Sequence, residues 1–216
     1  LAVIGDPGSR PLTAALIDAA RRAVDNSHSS AGEVDWLAEG VACDLTFEGT
    51  EPTITQALVR EALGDAPLDL AIQPVEGRRK KLLLAAMEST IIRQEMLDEL
   101  AEVAGIHEEV AEITALAMAG ELDFEAALRE RVGLLTGMPA ATLDAAAERM
   151  TLMPGAKALV ATMRAGGAYC ALVSGGFTCF TARIRAACGF DEDRANRLEI
   201  AGGKMTGKGL DPVLGR

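Results

Sequence analysis

Aromatic residues make up only 3% of this 216-residue chain, with one tryptophan and one tyrosine. Its core must therefore be assembled mainly from Ala, Leu, Val, Ile and Met. Histidine occurs twice, as His28 in a polar loop and His107 at a helix start. The four cysteines (Cys43, Cys170, Cys179, Cys188) show no C-x-x-C spacing and have no accompanying metal-ligand histidine. They read as reduced thiols of a reducing cytosol rather than a disulfide frame or a zinc site. No apolar run approaches the roughly 20 residues that a membrane helix requires, and no signal-peptide pattern is present. Positive charge is also short: 21 Lys and Arg against 32 Asp and Glu leave a formal net charge of -11. Nucleic acid and anionic membrane surfaces are excluded as partners on that ground, because both are held by cationic side chains. A cytoplasmic, soluble protein is expected.

What is present is ample apolar material. With 49% hydrophobic and 25% charged residues, the chain can bury a core, and its length allows one large domain or two small ones. Leu1 opens the chain inside what reads as a strand, and Gly215-Arg216 closes it just after a Gly-rich stretch and a Pro. A chain cut at both ends is the expectation.

Residues 1–76 read as a small α/β unit. Strands are expected at Leu1–Ile4, Val41–Phe47 and Asp69–Gln73, with helices at Leu12–Val24 and Thr53–Leu63 and a polar loop at Asn26–Ser30. That order suggests a ferredoxin-like regulatory or docking module. Arg78-Arg79-Lys80-Lys81 reads as a solvated linker. The second unit, 77–216, opens with the continuous apolar run Lys81–Met87, expected to be a strand buried on both faces. Helices follow at Gln94–Ala104, Glu108–Ala119, Asp123–Leu135, Ala141–Arg149 and Gly155–Arg164, several ended by glycine. A second strand, Tyr169–Val173, lands on Ser174-Gly175-Gly176, followed by a helix from Phe177 to Cys188 and a hairpin turned at Gly202-Gly203. Two strands separated by a helical insertion imply a parallel α/β sheet with a helical cap, and in such sheets ligands lie beyond the carboxyl ends of the strands.

The loops at those ends are Ala86-Met87-Glu88-Ser89-Thr90 and Ser174-Gly175-Gly176-Phe177. Between them runs Ala117-Met118-x-Gly120-x-Leu122-x-Phe124-x-x-x-Leu128-Arg129-x-Arg131-Val132. Together these resemble the phosphoserine phosphatase branch of the haloacid dehalogenase superfamily. The resemblance covers residues 80–216, and more loosely the preceding unit, since bacterial members often carry an ACT-like module there. It implies a Rossmann-like parallel sheet, incomplete at its C-terminal end in this chain, with a helical cap at about 95–150. The implied family reaction is the hydrolysis of O-phospho-L-serine to L-serine and phosphate, Mg²⁺-dependent and through an aspartyl-phosphate, the last step of serine biosynthesis. The implied substrate-binding residues are Glu95, Met118, Phe124, Arg131, Ser174 and Gly175.

Elementary chemistry agrees with those roles. Ser174 and the amides of the following glycines can donate to a phosphate. Glu95 suits an ammonium group and Arg131 a carboxylate, while Met118 and Phe124 can exclude water. The glycine-rich stretch Gly202–Lys208 nearly fits a phosphate-loop pattern, but Gly209 follows where Ser or Thr is needed, so a hairpin is the better reading. With no histidine near Ser174, a Ser/His/Asp hydrolase is set aside.

The departures are as specific as the match. The family nucleophile, the first Asp of Asp-x-Asp, is Ala86 here, which offers neither a nucleophile nor a Mg²⁺ ligand. The acid/base Asp is Glu88, one methylene longer, and as a metal ligand only its backbone position is retained. The family's later Lys and Asp-rich Mg²⁺ loop lie beyond the equivalent of Arg216. Loss of one member of a nucleophile–acid unit can cost ~10⁴- to 10⁶-fold in kcat, so the chain as written is expected to be catalytically dead and to bind Mg²⁺ weakly or not at all. Two alternatives stay open: an active phosphatase in a full-length parent, or a non-catalytic module that binds phosphoserine or serine. For the first unit, a small regulator or pairing into a homodimer is equally open.

Overall fold

Where the chain enters its first helix, Thr13 accepts a hydrogen bond from the Leu16 amide at 3.3 Å, satisfying one of the free amides of a helix start. The spacing of Ile17, Ala20 and Val24 then gives the helix its buried stripe. The structure is a computed structural model that describes residues 1–49 and 51–215. It divides into two units, Leu1–Arg78 and Arg79–Arg216, each with its own apolar core.

In chain order the first unit comprises β1 (Ala2–Gly5), α1 (Ala14–Asn26), β2 (Ser30–Ala38), β3 (Ala42–Glu48), α2 (Pro52–Leu63) and β4 (Leu68–Ala71). The sheet order is β2-β3-β1-β4, with every neighbouring pair antiparallel. Val3, Leu12, Ile17, Val24, Leu45, Val59 and Leu63 fill the core beneath it.

Two sequence expectations change here. β2 was not anticipated, because most of its residues are exposed and it carries no apolar alternation to read. Arg78 is not a free linker residue: its guanidinium donates to both oxygens of Asp44, with Nη2 at 2.6 Å from Oδ1. Asp44 has only 10% of its side chain exposed, and a carboxylate buried that far needs a charged partner.

The second unit begins with β5 (Leu82–Ala86). Five helices follow: α3 (Met96–Ala104), α4 (His107–Met118), α5 (Phe124–Gly133), α6 (Ala141–Ala147) and α7 (Ala156–Ala165). β6 (Tyr169–Phe177), α8 (Thr178–Cys188), β7 (Glu192–Ala201) and β8 (Lys204–Leu210) complete it. Its sheet runs β5-β6-β7-β8; β5, β6 and β7 are parallel and β8 is antiparallel. Gly105, at φ 74°, ends α3 in the left-handed conformation that favours glycine.

The base of the helical insertion is tied shut. Ile92 bridges to Leu152, and Gln94 donates to Thr151 Oγ1 (2.7 Å) and the Arg149 carbonyl (2.8 Å) while accepting from the Thr151 amide (2.9 Å).

One expectation for this unit is corrected. β5 is not buried on both faces: Leu82 is 60% and Leu84 64% exposed. Among the described residues the strand pairs with β6 alone. All four cysteines are free thiols. Among the described residues no helix is long and apolar enough to cross a membrane.

Candidate functional site

Parallel pairing of β5 with β6 places Ala86 beside Val173, so both strands deliver their next residues to one edge of the sheet. Glu88 and Ser174 meet there. The Ser174 hydroxyl donates to Glu88 Oε2 at 2.9 Å and accepts the Gly176 amide at 2.8 Å. The other Glu88 oxygen accepts the Met96 amide at 3.2 Å. That amide opens α3, whose N-cap residue Glu95 makes no side-chain cap. Glu88 therefore serves as the acceptor for this helix start, where a carboxylate is favoured.

Burial pushes the Glu88 carboxyl above its usual range, reinforced by the nearby charges of Glu95 and Asp98 and opposed by the bonds from Ser174 and Met96. Between Glu88 and Glu95 lies Ser89, at φ 50°, a left-handed conformation costing a non-glycine residue about 1–2 kcal/mol. Its hydroxyl donates to Glu95 Oε1 at 2.6 Å.

The two glycines allow a close approach of neighbouring side chains. A Cβ on Gly176 would lie 2.8 Å from Glu88 Oε1 and 3.1 Å from Ser174 Oγ, and one on Gly175 would lie 3.0 Å from the Phe124 ring. Phe124 thus sits directly over the serine–glycine turn. Arg131 projects from α5, with Nε donating to the Ala127 carbonyl at 3.1 Å. Partial burial lowers its pKa, and Asp98 and Glu88 oppose that shift through their charge. No carboxylate lies within ion-pair distance of Arg131 among the described residues.

Of the sequence-derived residues, the structure gathers Ala86, Glu88, Glu95, Ser174, Gly175 and Phe124 around one turn, with Arg131 in electrostatic range of Glu88. Met118 stands apart as the last residue of α4, 87% exposed. Reasoning from sequence missed Asp98 and Asn196. Asp98 lies three residues after Glu95, one helical turn away. Asn196 is buried and donates from Nδ2 to the Gly175 carbonyl at 2.8 Å. A lone Asn inside a strand, where that residue is depleted, was the available signal.

The residues present do not fit a Mg²⁺ ion. Ala86 has no side-chain oxygen to offer, both carboxylate oxygens of Glu88 already accept from Ser174 and Met96, so of these two residues only main-chain carbonyls remain, and no cluster of three or more His, Cys, Asp or Glu able to hold a metal occurs among the described residues.

The family model for haloacid dehalogenase-like hydrolases matches residues 86–216, and the chain belongs to that family. The similar proteins include phosphoserine phosphatases. That of Archaeoglobus fulgidus is 43% identical over 143 residues, covering 65% of this chain and 42% of the relative. That of Streptomyces coelicolor is 35% identical over 218 residues, covering 99% of this chain and 52% of the relative. A crystal structure of a probable phosphoserine phosphatase from Vibrio cholerae, unliganded, superposes with a TM-score of 0.73 at 34% identity, covering 99% of this chain and 63% of that one. A substrate-bound phosphoserine phosphatase complex gives 0.56 at 41% identity, covering 60% of this chain and 62% of that one. The chain spans about half the length of the curated relatives it matches.

Proposed function

We propose that this chain is a phosphoserine-phosphatase homologue that does not hydrolyse phosphomonoesters and retains recognition of the serine moiety. The observation that carries the reading is Ala86, a methyl group at the end of β5 beside the Ser174 turn. In the family this position supplies the carboxylate that attacks phosphorus, and a methyl group has no electron pair to form that bond. Glu88, which would serve as acid and base, is held by Ser174 and Met96 rather than facing a leaving oxygen. What remains is an amino acid site: Arg131, without a carboxylate partner, for the α-carboxylate; Glu95 for the ammonium group; and Phe124 over the turn.

For the first unit, the antiparallel order β2-β3-β1-β4 with two helices supports a ferredoxin-like, ACT-like module as its assignment. A domain boundary near residue 76, a cytoplasmic setting and a Mg²⁺-dependent ancestry belong to the same reading.

Orthophosphate release from O-phospho-L-serine with Mg²⁺ tests it, with the Archaeoglobus fulgidus relative as positive control. Release at the blank rate is expected from this chain, and turnover above that rate overturns the nucleophile argument.

A further inference from the structure

Ser174, Gly175 and Gly176 lie in the irregular end of β6, between Val173 and Phe177, where the strand register shifts, and the donors that would cradle an anion there are already engaged. The Ser174 hydroxyl has one proton to give, and that proton goes to Glu88 Oε2 at 2.9 Å. The Gly176 amide is turned onto Ser174 Oγ at 2.8 Å. The carboxylate lies so close against the turn that a Cβ on Gly176 would meet Oε1 at 2.8 Å and Oε2 at 3.2 Å. A second tie holds it there, because Oε1 takes the first amide of α3 at 3.2 Å. The extra methylene of Glu relative to Asp supplies about 1.5 Å of reach, which brings both oxygens up to these donors.

We propose that Glu88 is the specificity-determining residue of this site: its carboxylate occupies the cradle in place of a phosphoryl group, so that the chain takes a phosphate-free amino acid and excludes tetrahedral dianions. The inference rests on the serine-recognition reading for its ligand class, but the occupancy of the cradle is a property of the Glu88–Ser174 contact itself. A dianion entering the turn must either displace a carboxylate bonded at both oxygens or sit against it without the Ser174 proton. Like charges at such separations repel strongly where water is partly excluded.

The test titrates sulfate, a tetrahedral dianion across the neutral pH range, into ¹⁵N-labelled chain as written and into Glu88→Ala and Glu88→Gln. The Gly175 and Gly176 amides are followed by NMR. Glu88→Ala empties the cradle, whereas Glu88→Gln keeps the size and one acceptor oxygen without the charge, so a loss of fold in one leaves the other to decide. At least about tenfold tighter sulfate binding at these amides is expected in the variants than in the chain as written. Equal affinity in all three, or no binding in a variant that melts like the parent, overturns the proposal. Parallel titrations with L-serine and O-phospho-L-serine separate the two ideas. A chain that binds neither while Glu88→Ala gains sulfate keeps the cradle inference and sinks the serine reading. A chain as written that prefers phosphoserine to serine sinks the cradle inference.

Discussion

Asn196 offers the sharpest test of how the site is held. It lies on β7 opposite Phe177 and is 4% exposed. Its Nδ2 donates to the carbonyls of Gly175 (2.8 Å) and Leu214 (3.1 Å), and its Oδ1 accepts the Leu214 amide at 2.6 Å. In a trans peptide the C=O and N–H point in opposite directions. Anchoring the Gly175 carbonyl on Asn196 therefore aims the Gly176 amide at Ser174 Oγ. Asn196→Ala leaves two carbonyls and one amide without these partners. At about 0.5–1.5 kcal/mol net per bond, with some recovery through water entering the hole, the loss is about 2–3 kcal/mol. Asn196→Asp should cost more, because an ionised carboxylate cannot donate to either carbonyl. Thermal unfolding followed by far-UV circular dichroism would show this as a fall of several degrees in the transition of the second unit. Trp36, the one tryptophan of the chain, lies in the first unit and follows that unit separately. Faster hydrogen exchange at Gly176 should accompany the fall. A change under about 0.5 kcal/mol, or unaltered Gly176 exchange, refutes the positioning argument.

Arg78→Ala should destabilise the first unit by about 2–3 kcal/mol, because it leaves the Asp44 carboxylate buried without its partner; Trp36 fluorescence in urea reads this, and an unshifted midpoint contradicts it. Burial pushes the Cys179 thiol from 9.0 up to about 11. The folded state thus holds a proton that the unfolded chain releases first, so stability is full below pH 9 and falls by up to about 2.7 kcal/mol as pH rises toward 11. Alkylation at pH 8 should be roughly a hundredfold slower than for an unperturbed thiol, and modification at the free-thiol rate would contradict the burial. Leu82→Lys with Leu84→Lys should raise the solubility of this chain and leave its melting temperature nearly unchanged, since both side chains are mostly exposed in it; static light scattering decides, and a large loss of stability would mean those side chains are packed. Met118→Ala should leave stability within about 0.5 kcal/mol, its side chain being 87% exposed; an L-serine affinity that nevertheless falls would place Met118 in a closed form of the cap.

What the sequence disclosed follows from how local each signal is. The cap helices announce themselves through Asp123, which accepts the Ala126 amide at 2.8 Å, and through glycine stops such as Gly105. The β7–β8 hairpin is read from Gly202-Gly203, both at positive φ. Short motifs at strand ends placed Ala86, Glu88 and Ser174 together because a parallel pair must deliver its next residues to the same edge. Non-local features stayed hidden. The five apolar residues of β5 say nothing of which face is covered, and Leu82 and Leu84 proved exposed. β2 has no burial pattern to detect. Arg78 finds Asp44 across 34 positions, and Asn196 finds Gly175 across 21, pairings that no spacing rule reaches. The Ser174 hydroxyl contact to Glu88, across 86 positions, is likewise beyond any spacing rule.

The charge balance of the site decides between its ligand readings. In the family pattern, two aspartates beside a divalent cation leave a site that can receive a phosphate dianion without net repulsion. Here one carboxylate is gone at Ala86, and the donors that remain do not fit the cation. Near Ser174 stand three carboxyl side chains, Glu88, Glu95 and Asp98, and one guanidinium, Arg131, coupled to one another through charge. That set is net negative, and one of its carboxylates lies against the turn where a phosphoryl group would go. Among the described residues, the cation in electrostatic range of Glu88 is Arg131. A zwitterion meets an acceptor for its ammonium group and, in Arg131, a guanidinium with no ion-pair partner among the described residues for its carboxylate, with no net charge to bring in. In the proposed reading, the loss of the nucleophile at Ala86 and the longer carboxylate at Glu88 together favour the free amino acid over the phosphorylated one.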